Sequence, residues 1–229
     1  MYKIFIFIFI CIYSIFPAFS QTIVNGKIEG LKESGVNSFY LFSIQKQKNI
    51  DTIMLNGDNF SFLINQTTPE FFMFGADNQK LGFTCWIQNT DSIKIIGNLN
   101  ELIVPTKTSE LFIKRIYNNL QKIGSIEQSI HDSFFSSIEK PLKEFLSLLY
   151  DNDDAFYTEE KSNKLKKLKI EILKALISQI KNEPNSQATQ FAIFYLDKDL
   201  GIFTKEQKEE LNIVIDKHID KNTPKFDPL

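Results

Sequence analysis

Around Pro105 the hydrophobic period of this chain changes, and that change constrains the fold more than any single motif. From Gln21 to about Thr106 apolar and polar residues alternate with period 2; beyond it apolar residues recur every three to four positions. Period 2 sends successive side chains to opposite faces of a strand, whereas the i, i+3, i+4, i+7 spacing collects them on one face of a helix. A run of strands followed by a run of helices is the signature of an α+β protein, not of alternating βαβ units.

The β half begins with Val24, Gly26 and Ile28 alternating with polar neighbours. Further strands are predicted over Val36–Ile44, Ile50–Leu55, Phe60–Ile64, Phe71–Ala76, Leu81–Gln88 and Ser92–Ile96, with a last one at Leu102–Val104. Asn56-Gly57-Asp58-Asn59 reads as a β-hairpin turn, and Asn89-Thr90-Asp91 as the link before the last long strand. Short strands at this spacing predict an N-terminal antiparallel β-sandwich or partly open barrel over residues 21–106. Some strands are apolar on both faces: Phe39 and Leu41 oppose Tyr40 and Phe42, and Phe71 and Met73 oppose Phe72 and Phe74. Such strands need cover on the second side, from another sheet or from the helices that follow.

The C-terminal helical region is expected over residues 107–222, with a loose tail at 223–229. Thr108 or Ser109 can cap its first helix, and Glu110 suits the positive end of the backbone dipole. A break is predicted at Gly124-Ser125 and a kink near Pro141. Leu165, Leu168, Ile172, Leu173, Leu176, Ile177 and Ile180 line one face of a long amphipathic helix. Pro184-Asn185-Ser186 ends it and starts another through Leu196, and Thr204 with Gln207 forms a capping box for the last.

Residues 1–20 read as a cleavable export signal. Lys3 precedes an apolar run from Ile4 to Phe16, Pro17 breaks it, and Ala18 and Ser20 are the small residues a signal peptidase recognises. Cleavage is expected between Ser20 and Gln21, which places the mature chain in the periplasm or cell envelope. The run falls short of the roughly 20 residues of a membrane span, and no span is expected after cleavage. Cys11 follows Ile10 where a lipoprotein signal needs a small residue.

Loss of the signal leaves one basic residue fewer than the chain's 26, against 28 acidic residues: a net charge of −3. Nucleic acid, which selects clustered positive charge, is therefore not an expected partner. The basic run Lys161–Lys169 is interleaved with a helix's apolar face and flanked by Glu159, Glu160 and Glu171. After cleavage the cysteine that remains is Cys85. A dithiol redox cycle needs two neighbouring thiols, and one cysteine with His131 and His218 makes a poor zinc set.

The order of Gly26-Lys27-Ile28-Glu29-Gly30, Phe39-Tyr40-Leu41, Asp51, Gly57, Phe60, Phe62, Pro69, Ile93, Ile95 and Gly97 resembles a domain of unknown function. That domain precedes a thioredoxin domain in envelope proteins of some Gram-negative bacteria. Ile180–Ser186 is similar to a segment of the same proteins, with Glu183 where they carry Asn. The resemblance implies thiol-disulfide chemistry in a thioredoxin-like domain beyond these helices. The present sequence ends at Leu229 without a Cys-x-x-Cys, so no catalytic residue carries over.

Individual residues suggest sites only weakly. Cys85 shares a strand face with Phe83 and Ile87 and is expected to be a buried, inert thiol. Trp86, with Thr84 and Gln88, faces the other way, under the helices or on a partner surface. Asp151, Asp153 and Asp154 lack the glycine and glutamate of a calcium loop, since Phe156 and Ser162 stand there; Asp197 and Asp199 fail the same test. His131 has no nucleophile placed beside it by a local motif, and His218 suits a helix end. The sequons at Asn59 and Asn65 lie in or beside predicted strands. The pattern predicts a non-catalytic module without cofactor or metal. Such a module would bind a protein or ligand of the envelope, a thioredoxin-like protein among the candidates, through its sheet or the groove between its halves; the alternative is an accessory to, or a remnant of, a thioredoxin-like thiol-disulfide oxidoreductase.

Overall fold

A computed structural model describes residues 21–65, 68–76, 81–88, 92–103, 107–114, 118, 120–150 and 158–226. The export segment, the Asn89–Asp91 link and the Asp151–Asp154 cluster lie outside the described residues. The strands are β1 (Gln21–Glu29), β2 (Ser38–Ser43), β3 (Lys48–Met54), β4 (Asn59–Asn65), β5 (Glu70–Ala76), β6 (Gly82–Ile87), β7 (Ser92–Asn98) and β8 (Gln121–Ile123). The helices are α1 (Thr108–Lys114), α2 (Ile126–Tyr150), α3 (Glu159–Asn182), α4 (Gln187–Phe194) and α5 (Lys205–His218). The fold is α+β: two four-stranded sheets, ordered β4-β1-β7-β8 and β3-β2-β5-β6, followed by the helices.

The β3-β2-β5-β6 sheet is wholly antiparallel, as expected, but the other is mixed: β1 pairs with β4 antiparallel and with β7 parallel. A parallel pair needs a long crossover between its strands. Here β2 to β6 lie between β1 and β7 in sequence, and four of those five strands build the opposite sheet. The turn after β3 also departs from a simple hairpin. Asn56 and Asn59 bridge each other around Gly57, whose φ of 65° suits glycine, yet β3 pairs with β2 and β4 with β1. The chain crosses from one sheet to the other at this turn, so both strands bury their apolar faces in one sandwich. The last short strand predicted around Leu102–Val104 reduces to a bridge between Leu81 and Ile103.

Alternation in β1 is strict: Thr22, Val24, Gly26 and Ile28 are buried and their neighbours exposed. The Phe60 ring lies where a Cβ on Gly26 would stand, so this position needs glycine for close approach, not for its dihedrals. The core between the sheets is aromatic, with Phe74 stacked on Phe83 at 4.4 Å and Phe39 edge-on to Phe60 at 5.6 Å and to Phe83 at 5.7 Å.

A second core joins the helices to β5 and β6 through Phe71 and Trp86. Thus Phe72, Phe74, Phe83 and Cys85 pack toward the other sheet, while Phe71 and Trp86 pack toward α2, α3 and α4. The helices cover one end of this sheet face; on the same face Tyr40 and Met73 stay 41 % exposed.

Thr158 and Ser186 cap α3 and α4, and the Thr204–Gln207 box caps α5. Helix α2 runs through Pro141, which is itself buried. Two boundaries differ from expectation. Residues 121–123 are a strand inside the predicted helical region, added to β7, with Lys122 turned to the buried side. The tail is also not loose where it is described: Phe226 is only 5 % exposed, because its ring fills an aromatic pocket.

Candidate binding cleft between the sheet and the helices

Strand β6 carries Trp86 to the face that α2 covers. Its backbone N–H donates to Gln128 Oε1 at 2.7 Å, and its indole N–H to His131 Nδ1 at 3.1 Å. His131 therefore presents an unprotonated Nδ1 to the indole, holding the ring flat against Phe71 at 5.0 Å. Thr84 is buried beside it. Gln88 is half-buried, its carbonyl accepting from Thr22 Oγ1 at 2.8 Å. The partner surface expected at Trp86, Thr84 and Gln88 is thus covered by the chain's own helices. An indole and a phenyl ring side by side on one sheet face bury more apolar area under a helix than a surface site would.

Cys85, on the opposite face, is fully buried, and burial pushes its thiol up to about 12. Lys122 and Asp132 sit nearby. The Lys122 side chain is fully buried, with Nζ 3.6 Å from Asp132 Oδ1 and, among the described residues, no hydrogen bond of its own. Asp132 accepts from Gln128 Nε2 at 2.6 Å. Desolvation, only partly offset by Lys122, raises the Asp132 carboxyl above its ordinary value. The pair ties β8 to α2, beside a buried thiol that stays protonated at neutral pH.

One open cleft, of about 440 Å³, lies where the ends of β2 and β5 meet the starts of α2 and α4 and the C-terminal segment. Two carboxylates shape its walls. Glu70 binds Ser43 Oγ and pairs with Lys46 Nζ at 2.6 Å. Glu127, in the first turn of α2, accepts from Ser186 Oγ at 2.6 Å and from the Ala188 N–H at 2.8 Å, so it bonds the start of α4. Gln45 Oε1 accepts from the Phe71 N–H at 2.9 Å, which fixes that side chain at the cleft edge. Asn185 and Gln187 form the far wall and hold the C-terminal segment: Thr223 Oγ1 meets Asn185 Oδ1 at 2.9 Å, and Gln187 Nε2 donates to the Pro224 carbonyl at 3.1 Å.

The other sequence candidates fall elsewhere. His218 ends α5, and Asp197 pairs with Lys208 at 2.8 Å. Among the described residues no group of three or more His, Cys, Asp or Glu side chains could hold a metal ion, and no helix is long and apolar enough to cross a membrane. Sequence reasoning missed Glu127, Lys122 and Phe226. Phe226 alone left a signal, as an isolated aromatic in a polar tail.

No protein-family model, curated protein or solved structure matches this chain.

Proposed function

We propose that this chain is an exported, non-catalytic module of the cell envelope that holds a partner in the cleft between its sheet and helical halves. The observation that carries this is the cleft itself. Its volume suits a short peptide segment or small ligand, and its walls carry three side-chain amides, those of Gln45, Asn185 and Gln187, each held in place through one polar atom bonded within the chain, beside apolar Pro69 and Phe226. Amides recognise uncharged donors and acceptors such as those of a peptide backbone. The carboxylates facing the cleft are committed to structural bonds: Glu70 to Ser43 and Lys46, Glu127 to the start of α4. The buried, protonated Cys85 supports the same view, since a thiol-disulfide reaction beside this module would draw its thiols from a separate thioredoxin-like protein.

The test is capture from envelope extract with three baits: the unaltered chain, Gln187→Arg, which fills the cleft, and Ser61→Arg on the outer face of the β4-β1-β7-β8 sheet. A partner retained by the first and third and lost by the second is expected. A partner retained equally by all three would overturn the cleft as the site.

A further inference from the structure

Beyond α5 the chain turns at Asp220–Asn222, where Asp220 Oδ1 accepts the Asn222 N–H at 2.8 Å and the Thr223 N–H bonds the Asp220 carbonyl at 2.9 Å. From there to Phe226 it has no helix or strand. Pro224 restricts its own φ and biases Thr223 toward an extended backbone. Two polar links, to Asn185 and Gln187, hold its course along the cleft wall. At the end the Phe226 ring sits 5.0 Å from Phe191, 5.6 Å from Phe194 and 6.2 Å from Trp86. Lys225 lines the cleft that also holds the Glu70 and Glu127 carboxylates.

This is how an extended peptide docks: one aromatic anchor in an apolar pocket and a backbone carbonyl on a fixed amide. We propose that Thr223–Phe226 is a built-in ligand of the cleft. The cleft would then accept, by exchange with it, an extended peptide with a proline two residues before an aromatic anchor. This rests on the cleft being the binding site and names the class of its ligand. Among the described residues the segment is held by the Phe226 ring and by side-chain links to Asn185 and Gln187, without helix or strand pairing. The cost of exchange is therefore chiefly the burial of one phenyl ring, which an incoming aromatic offsets.

Trp86 is the chain's single tryptophan and touches the anchor, so it reports the exchange directly. In the full-length chain, Phe226→Ala should shift Trp86 emission to the red, and a synthetic peptide copying residues 221–229 should shift it back. The same peptide with alanine in place of its phenylalanine should bind at least about tenfold more weakly, the loss expected for one buried phenyl ring. The unaltered chain should also bind the intact peptide at least about tenfold more weakly than Phe226→Ala does, because its own segment competes. A folded Phe226→Ala chain with red-shifted Trp86 that ignores the peptide would overturn the proposal, as would equal affinity for both peptides.

Should Phe226→Ala fail to fold, the unaltered chain decides. The same peptide carrying a spin label, at millimolar concentration, should broaden the Trp86 indole N–H resonance, and an unbroadened resonance would overturn the exchange. If envelope capture depends on Gln187 while the peptide never exchanges, the cleft stands and the ligand class falls. If both fail, the cleft itself falls.

Discussion

Replacing Lys122 by methionine should destabilise the protein sharply, and adding Asp132→Asn should restore most of the loss. The charged atoms lie 3.6 Å apart, with the Lys122 side chain fully buried and Asp132 29 % exposed. At an effective dielectric of about 20 their attraction is about 4–5 kcal/mol, while taking each ion out of water costs several kcal/mol. The raised Asp132 carboxyl shows desolvation outweighing the pull of Lys122, so the intact pair is close to neutral or a net cost beside uncharged side chains. Half a pair is worse, because Lys122→Met leaves a partly buried carboxylate with the Gln128 amide but no countercharge. A loss of about 3 kcal/mol at pH 7 is expected. The Lys122→Met/Asp132→Asn chain should fall within about 1 kcal/mol of the original, since the amide oxygen that replaces the carboxylate can still accept from Gln128.

Urea unfolding followed by Trp86 emission supplies the four corners of the double-mutant cycle. The pH dependence carries a sign as well. Asp132's folded value lies above its unfolded one, so its contribution to stability is fully present below the ordinary value near 3.8 and is lost as pH rises through the raised folded value. The deficit of Lys122→Met should therefore shrink on acidification through that window, as the orphaned carboxyl takes up a proton. Additive single losses in the cycle, or a Lys122→Met cost under about 1 kcal/mol, would refute a coupled buried pair.

Trp86→Ala should cost about 3–5 kcal/mol, since it empties a fully buried site shared by both halves; calorimetry would register a lowered Tm. Native Trp86 emission should be blue-shifted and resist quenching by iodide. Cys85, with its thiol near 12, should resist alkylation at pH 8 until the chain unfolds, so rapid labelling of the native protein would contradict its burial. Gly26→Ala should displace the Phe60 ring and destabilise by about 1–3 kcal/mol in thermal melts.

The elements were legible in the sequence because each is set by a local period: strict alternation in β1, the i, i+3, i+4, i+7 stripe of α3, the Thr204–Gln207 box of α5. Two-faced apolar strands such as Phe71–Phe74 announced that a sheet face would be covered by something else, and the helices do so at Phe71 and Trp86. Pairing was not legible. Alternation says which face of β4 is buried but not that its neighbour is β1, nor that β1 and β7 run parallel, because those partners are distant in sequence. The cleft was visible only as a groove expected between two halves. Its walls depend on Glu127 reaching across to Ser186 and on Phe226 folding back to Phe191, contacts no local motif encodes. Lys122 fell inside the region expected to be helical, because nothing local showed that three residues there would become a strand.

Photo-crosslinking in living cells offers the most direct comparison. A crosslinking residue at Lys46, which borders the cleft, is set against one at Lys27, exposed on the outer face of the β4-β1-β7-β8 sheet. A discrete adduct from position 46 and none from position 27 is the expected result. Adducts from position 27 alone, or identical adducts from both, would contradict binding in the cleft.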